Sequence, residues 1–152
     1  MAVVIASDHA GFPLKEEIIE TYFKKNNIEY IDAGCYSPER YDYALSAQKA
    51  CDMVVEGKAD KAILVCGTGV GISMAANKVK GIRAACCSDY FSAKYTRLHN
   101  DANALCFGAR VVGAGLAIEL VDVFLNTEFE GGRHATRVEQ IMAIESGEKV
   151  YE

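Results

Sequence analysis

Three groups of residues carry reactive side chains at spacings that chemistry can use. The first is Cys66-Gly67-Thr68-Gly69-Val70-Gly71. An apolar run ends at Cys66, and a helix-like segment starts near Ile72. Alternating glycines at such a junction let backbone N–H groups turn towards one point and cradle an anion. A helix start also favours a thiolate, so Cys66 reads either as a base or nucleophile or as a buried structural cysteine. The loop itself reads either as an anion cradle or as a tight turn without a ligand. A dinucleotide fingerprint needs glycine at 67, 69 and 72. Position 72 is Ile, although Asp89 lies near the distance of a ribose-binding acid. A P-loop needs Gly-Lys-Ser/Thr, and Gly71 is followed by Ile72-Ser73.

The second group is Gly131-Gly132-Arg133-His134 with Arg137. Arg133 and Arg137 are one helical turn apart, and His134 can join them. Two guanidiniums, an imidazole and a helix start suit a phosphate dianion. The other reading is a solvated basic turn on an acidic protein. Arg110 follows another apolar run. The third group is the three histidines, His9, His99 and His134, each beside a polar residue near an element end. They are available for acid–base work, or are ordinary surface and core residues. No His-x-x-x-His or paired His/carboxylate spacing stands out, so no metal is expected. A candidate base, an oxyanion cradle, a phosphate clamp and spare imidazoles fit proton abstraction beside a carbonyl in a small phosphorylated substrate. No motif for an organic cofactor is present, and none is expected.

These groups need a scaffold. Five short apolar runs stand out: Val3–Ala6, Tyr30–Ile31, Ala62–Cys66, Ile82–Cys87 and Ala104–Phe107. Each leads through Gly, Ser, Asp or Asn into a helix-like segment, as strands buried on both faces do. Pro13 suits a first helical turn, and Leu14, Ile18, Ile19, Tyr22 and Phe23 form one stripe. Five strand–helix alternations predict a single domain over residues 1–152. Its architecture is a three-layer α/β/α sandwich on a five-stranded, parallel, Rossmann-like sheet. A last helix, roughly Arg133 to Glu145, has no following strand and is expected to act as an arm or a partner contact. Ligands in such sheets bind beyond the carboxyl ends of the strands. Those ends carry Asp8-His9, Gly34 to Asp42, Cys66 to Gly71, Ser88-Asp89 and Gly108 to Arg110.

Composition narrows the partners. At 51% hydrophobic and 24% charged, the 152 residues form a globular chain with a full core. A net charge of −5 argues against nucleic acid. No apolar run approaches the roughly 18–20 residues of a membrane span, and no signal peptide is expected. Six cysteines without a Cys-x-x-Cys pair predict reduced thiols and a cytoplasmic location.

The chain resembles the ribose-5-phosphate isomerase B family, which includes allose-6-phosphate and galactose-6-phosphate isomerases. The resemblance rests on Ser7–Gly11, Cys66–Ile72, Ala75–Lys78, Gly81–Ala84, His99–Asn103, Phe107–Arg110 and Glu130–His134, in order along nearly the whole chain. It implies an aldose–ketose isomerase acting on D-ribose 5-phosphate through a cis-enediolate. Cys66 is then the base, with Thr68 beside it, and Gly67, Gly69, Val70 and Gly71 form the enediolate cradle. The resemblance makes His99 the ring opener and puts Asp8, Tyr43 and Asn100 near the sugar. His9, Arg110, Arg133 and Arg137 become phosphate ligands, with His134 close by. It further implies no metal or organic cofactor, and a homodimer sharing its sites across the interface, with dimers of dimers left open. A six-carbon sugar phosphate as substrate, or a non-catalytic sugar-phosphate sensor, remains the alternative. Where the family often has Asp-Tyr-Pro, this chain has Asp42-Tyr43-Ala44. Some members use a carboxylate in place of the cysteine; this chain resembles the cysteine branch.

Overall fold

The computed structural model describes residues 1–151. The chain alternates β1 (Val3–Ser7), α1 (Phe12–Ile18), β2 (Tyr30–Asp32), α2 (Tyr43–Val55), β3 (Lys61–Cys66), α3 (Val70–Ala76), β4 (Ala84–Cys86), α4 (Tyr90–Asn100), β5 (Ala104–Gly108), α5 (Ala114–Asn126) and α6 (Arg133–Glu145). α1 runs on as a π-helical turn through Phe23, which keeps the Leu14-to-Phe23 stripe on the core.

All strand pairs are parallel, in the order β2-β1-β3-β5-β4. β1, β3 and β5 are buried throughout, which is why they read as unbroken apolar runs. Their alternate residues feed two cores. Val3, Ile5, Ile63, Val65, Leu105 and Phe107 face α1, α4 and α5. Val4, Ala6, Ala62, Leu64, Cys66, Ala104 and Cys106 face α2 and α3. The second face is lined by small residues, so α2 and α3 lie close on the sheet. Connections moving towards β2 use the first face and those moving towards β4 the second, as right-handed crossovers require.

The three-layer sandwich, the parallel sheet and the additional C-terminal helix are as the sequence implies. Two boundaries differ. α3 opens at Val70, not near Ile72, because Gly69 at φ +82° makes the turn. β4 is shorter than the run Ile82–Cys87, because the Asn103 side chain accepts the Arg83 N–H at 2.7 Å and holds that stretch as a turn. No described helix is long and apolar enough to cross a membrane.

The order of the strands locates the site. β1 and β5 lead into helices on one face, while β3 between them leads into α3 on the other. The loop after β3 therefore has a chain-reversal crevice on each side, where ligands of open α/β sheets bind.

Candidate active site

The loop after β3 is shaped by close approaches. Cys66 pairs with Gly108 across the sheet. A Cβ on Gly108 would stand 2.5 Å from the Thr68 carbonyl carbon and 2.7 Å from the Gly67 oxygen. Gly69 likewise has no room for a Cβ over Phe107. The loop therefore lies flat on the end of β5. In this position the Gly69 N–H donates to Cys66 Sγ at 3.1 Å, and the Val70 N–H donates to Thr68 Oγ1 at 3.2 Å.

The other thiols differ. Burial pushes Cys51 up to about 12, Cys87 up to about 11 and the fully enclosed Cys106 well above its usual range. All three are core cysteines, as the apolar runs imply for Cys87 and Cys106. Cys86 is exposed, although burial of its thiol still raises its pKa.

Four further residues gather at the same end of the sheet. The Asp8 carboxylate accepts the Gly11 N–H at 2.9 Å through Oδ1, which turns the chain from β1 into α1. The backbone of Tyr41 closes on His9 Nδ1, with its N–H at 3.2 Å and its carbonyl at 3.1 Å, so the ring is fixed. Arg110 donates its N–H to the Gly67 carbonyl at 3.0 Å, and its guanidinium lies against Gly67. Tyr43 opens α2 without the proline, and its ring covers Gly71, where a Cβ would stand 2.8 Å from Cζ. The Tyr43 ring thus occupies the space beside the third glycine, in addition to any role of the loop as an anion cradle.

The remaining predicted residues lie elsewhere in the chain. α4 starts beyond the carboxyl end of β4 and runs back for 11 residues, about 16 Å at 1.5 Å per residue. His99 and Asn100 therefore sit towards the amino end of the sheet. α6 packs on this part of α4. The rings of His99 and His134 stack with centroids 3.9 Å apart at 11°. Both Nε2 atoms lie 3.6 Å from Glu130 Oε2, and Arg137 Nη1 donates to His134 Nδ1 at 3.3 Å. His134 is buried, and burial together with the neighbouring His99 lowers its pKa. Tyr95 meets His99 edge-on, and Phe91 stacks on Tyr95. A cavity of about 400 Å³ opens beside this ladder and reaches Asn100 and Arg137. Arg133, at the start of α6, is exposed. One chain thus gathers the predicted residues in two separate groups. Cys66, Thr68, the glycine loop, Asp8, His9, Tyr43 and Arg110 form one; His99, Asn100, Arg133, His134 and Arg137 form the other.

Glu130 was missed by the spacing search, which passed over its four-residue separation from His134. With His99 it brings three ligand-type groups within 4.8 Å of one another. The donor set fits a metal poorly. A shared ion needs the two Nε2 lone pairs to converge at about 2.0–2.1 Å, and nearly parallel stacked rings keep them side by side. The Phe91, Tyr95, His99 spacing was the available signal, because i, i+4 aromatics on one helix face stack. Asp89, the ribose-acid candidate, instead caps α4 by accepting the Ser92 N–H at 2.7 Å.

A family model described as Ribose/Galactose Isomerase matches residues 3–141. The chain belongs to this family. It is an enzyme of the isomerase class. Ribose-5-phosphate isomerase B of Escherichia coli (strain K12) is 50% identical to it over 143 residues, covering 94% of this chain and 95% of that protein. Among solved structures, ribose-5-phosphate isomerase B of Clostridium thermocellum superposes with a TM-score of 0.94 at 50% identity, covering 97% of this chain and 99% of that one. The Mycoplasma genitalium enzyme, solved with bound ribulose-5-phosphate, gives a TM-score of 0.90 at 41% identity over 97% of each chain. The ribose/galactose isomerase family is the one that the sequence motifs resemble.

Proposed function

We propose that this isomerase interconverts D-ribose 5-phosphate and D-ribulose 5-phosphate through a cis-enediolate. The observation that carries the reading is a strand-end thiol, Cys66, beneath a glycine loop whose Gly69 N–H points at its sulfur. Cys66 removes the C2 proton of the open-chain aldose, and the electron pair moves onto the C1 carbonyl oxygen. The loop from Gly67 to Gly71 cradles the developing oxygen charge. Thr68 stands beside the reacting hydroxyls. The O2 hydroxyl proton then passes to O1, and the proton held by Cys66 returns to C1, so that C2 becomes the carbonyl and the ketose forms. C2 is oxidised as C1 is reduced, so the reaction balances without an outside oxidant, reductant or cofactor.

His9 and Arg110 clamp the phosphate together with Arg133 and Arg137, with His134 behind them. Asp8, Tyr43 and Asn100 contact the sugar, and His99 opens the furanose ring. The two half-sites meet across a homodimer, with Cys66 from one copy and His99 from the other. Six free thiols fit the reducing cytoplasm.

The test is ribose 5-phosphate isomerisation by purified protein. Turnover should survive a chelator and fall about 10²–10⁴-fold in Cys66→Ala, the worth of a general base. A larger kcat/KM for allose 6-phosphate or galactose 6-phosphate would move the assignment to that substrate. Tight sugar-phosphate binding without turnover would make the protein a sensor. Mixing Cys66→Ala with His99→Ala tests the sharing of sites. Each mixed two-fold dimer rebuilds one intact site, so an equimolar mixture should regain about a quarter of wild-type activity. No recovery would refute the shared site.

A further inference from the structure

The stacked histidines leave one charge without a role. Glu130 is tied to α4 by its own backbone, whose N–H donates to the Leu98 carbonyl at 3.0 Å. Its carboxylate is therefore delivered to the last turn of α4 independently of the α6 helix. Oε2 stands 3.6 Å from Nε2 of both His99 and His134. The guanidinium of Arg137 can only donate, so His134 Nδ1 is its acceptor, and the proton of neutral His134 lies on Nε2, facing Glu130. His99 is thus held on three sides: by the Tyr95 edge, the His134 face and the Glu130 carboxylate. The free position on its ring is Nδ1. Arg137 adds positive charge to a corner that already holds two imidazoles, and among the described residues Glu130 is the one carboxylate contacting both rings.

We infer that Glu130 is a positioning residue for His99: its carboxylate fixes the imidazole and stabilises the positive charge that forms there when His99 takes a proton from the sugar. In that step the anomeric O1–H proton moves to Nδ1, the C1–O1 bond becomes a carbonyl and the bond from C1 to the ring oxygen breaks. The proton then passes to the freed ring oxygen, and the imidazole ends neutral. A carboxylate 3.6 Å from Nε2 interacts more strongly with the imidazolium than with the neutral ring, so it favours the transition state. The arrangement parallels the acid that orients and supports a histidine in hydrolytic triads. The inference rests on the role of His99 proposed above.

The test compares Glu130→Gln, Glu130→Asp and His99→Asn in the full-length protein. The Glu130 side chain is exposed, so these variants should fold, which circular dichroism checks. If the charge matters, Gln should lower kcat about 10- to 100-fold, less than loss of the acid–base group itself. KM should stay within about two-fold, because no phosphate ligand is altered. Asp, shorter but still charged, should retain more activity than the isosteric Gln. A packing or purely hydrogen-bonding role predicts the reverse order. Full kcat in Gln with a dead His99→Asn overturns the inference and leaves the isomerase reading standing. Full activity in His99→Asn overturns the reading on which it rests.

Discussion

Adding one methyl group at Gly108 tests whether the β5 end holds the Cys66 loop in place. The Cβ of Gly108→Ala would lie 2.5 Å from the Thr68 carbonyl carbon, 2.6 Å from its Cα and 2.7 Å from the Gly67 oxygen. Ordinary contacts begin near 3.4 Å, so the backbone must recede by about 1 Å. All three atoms are main chain, and no flexible side chain can absorb the shift. The Gly69 N–H to Cys66 Sγ distance, now 3.1 Å, would then approach 4 Å and the bond would weaken. Misplacement by about 1 Å typically costs about 10²-fold in rate, and overpacking costs about 1–3 kcal/mol of stability. Steady-state kcat/KM and urea unfolding measure the two effects. Gly115→Ala is the control: nothing lies within 4 Å of its Cβ, and the exposed helical site should gain up to about 1 kcal/mol. A Gly108→Ala enzyme within about three-fold of wild-type kcat/KM would refute the argument that this close approach sets the geometry of the base.

Native protein treated with iodoacetamide should leave Cys51, Cys87 and Cys106 unmodified until it unfolds, as mass spectrometry before and after urea would report. Those thiols have raised folded pKa values, so their contribution to stability is present below the unfolded value near 8.5. For Cys51 and Cys87 it is lost as pH rises through about 11–12, and Tm should fall across that window. The lowered pKa of His134 acts in the opposite direction: its contribution is present above about 6.5 and is lost as pH falls through the folded value. His134→Gln should flatten the acid side of a Tm-versus-pH curve. Lys61→Met should cost about 1–3 kcal/mol in urea unfolding, because Lys61 Nζ caps the Phe124 and Leu125 carbonyls at the end of α5 and those groups would be left unpaired.

The strands were legible because the three central ones are buried on both faces, and burial writes an unbroken apolar run such as Ala62–Cys66. Their spatial order was not legible. Nothing in Ala84–Cys86 says that β5 must insert between β3 and β4. The helix over 133–145 was readable from its glycines and arginines. Its contact with α4 was not, since that depends on a fold-level packing of His134 against His99. The glycine loop was read as an anion cradle or a tight turn, and the close packing around its glycines was not legible. Gly71 is matched to the Tyr43 ring, and Gly69 and Gly108 are matched to each other's strands. Such pairings join positions tens of residues apart and leave no local pattern. Glu130 went unnoticed for the same cause: its partners come from two helices.

The separation of the half-sites follows from the topology. In a parallel sheet every strand delivers its loop to one end, and every helix carries the chain back to the other. A base at the end of β3 and an imidazole in the last turn of α4 therefore belong to opposite ends of one chain, whatever their side-chain rotamers. On the proposed reading a second copy supplies the other half. The surface is suited to that. Val70 and Met74 on α3, next to the Cys66 loop, are 52% and 63% exposed, and Phe91 on α4 and Ile144 on α6 are 66% and 57% exposed. Large apolar side chains clustered around two incomplete sites mark an interaction surface more strongly than scattered ones do. In the proposed homodimer a two-fold pairing would place each half opposite its complement twice, and α6 would carry Arg133, His134 and Arg137 to the neighbour's site.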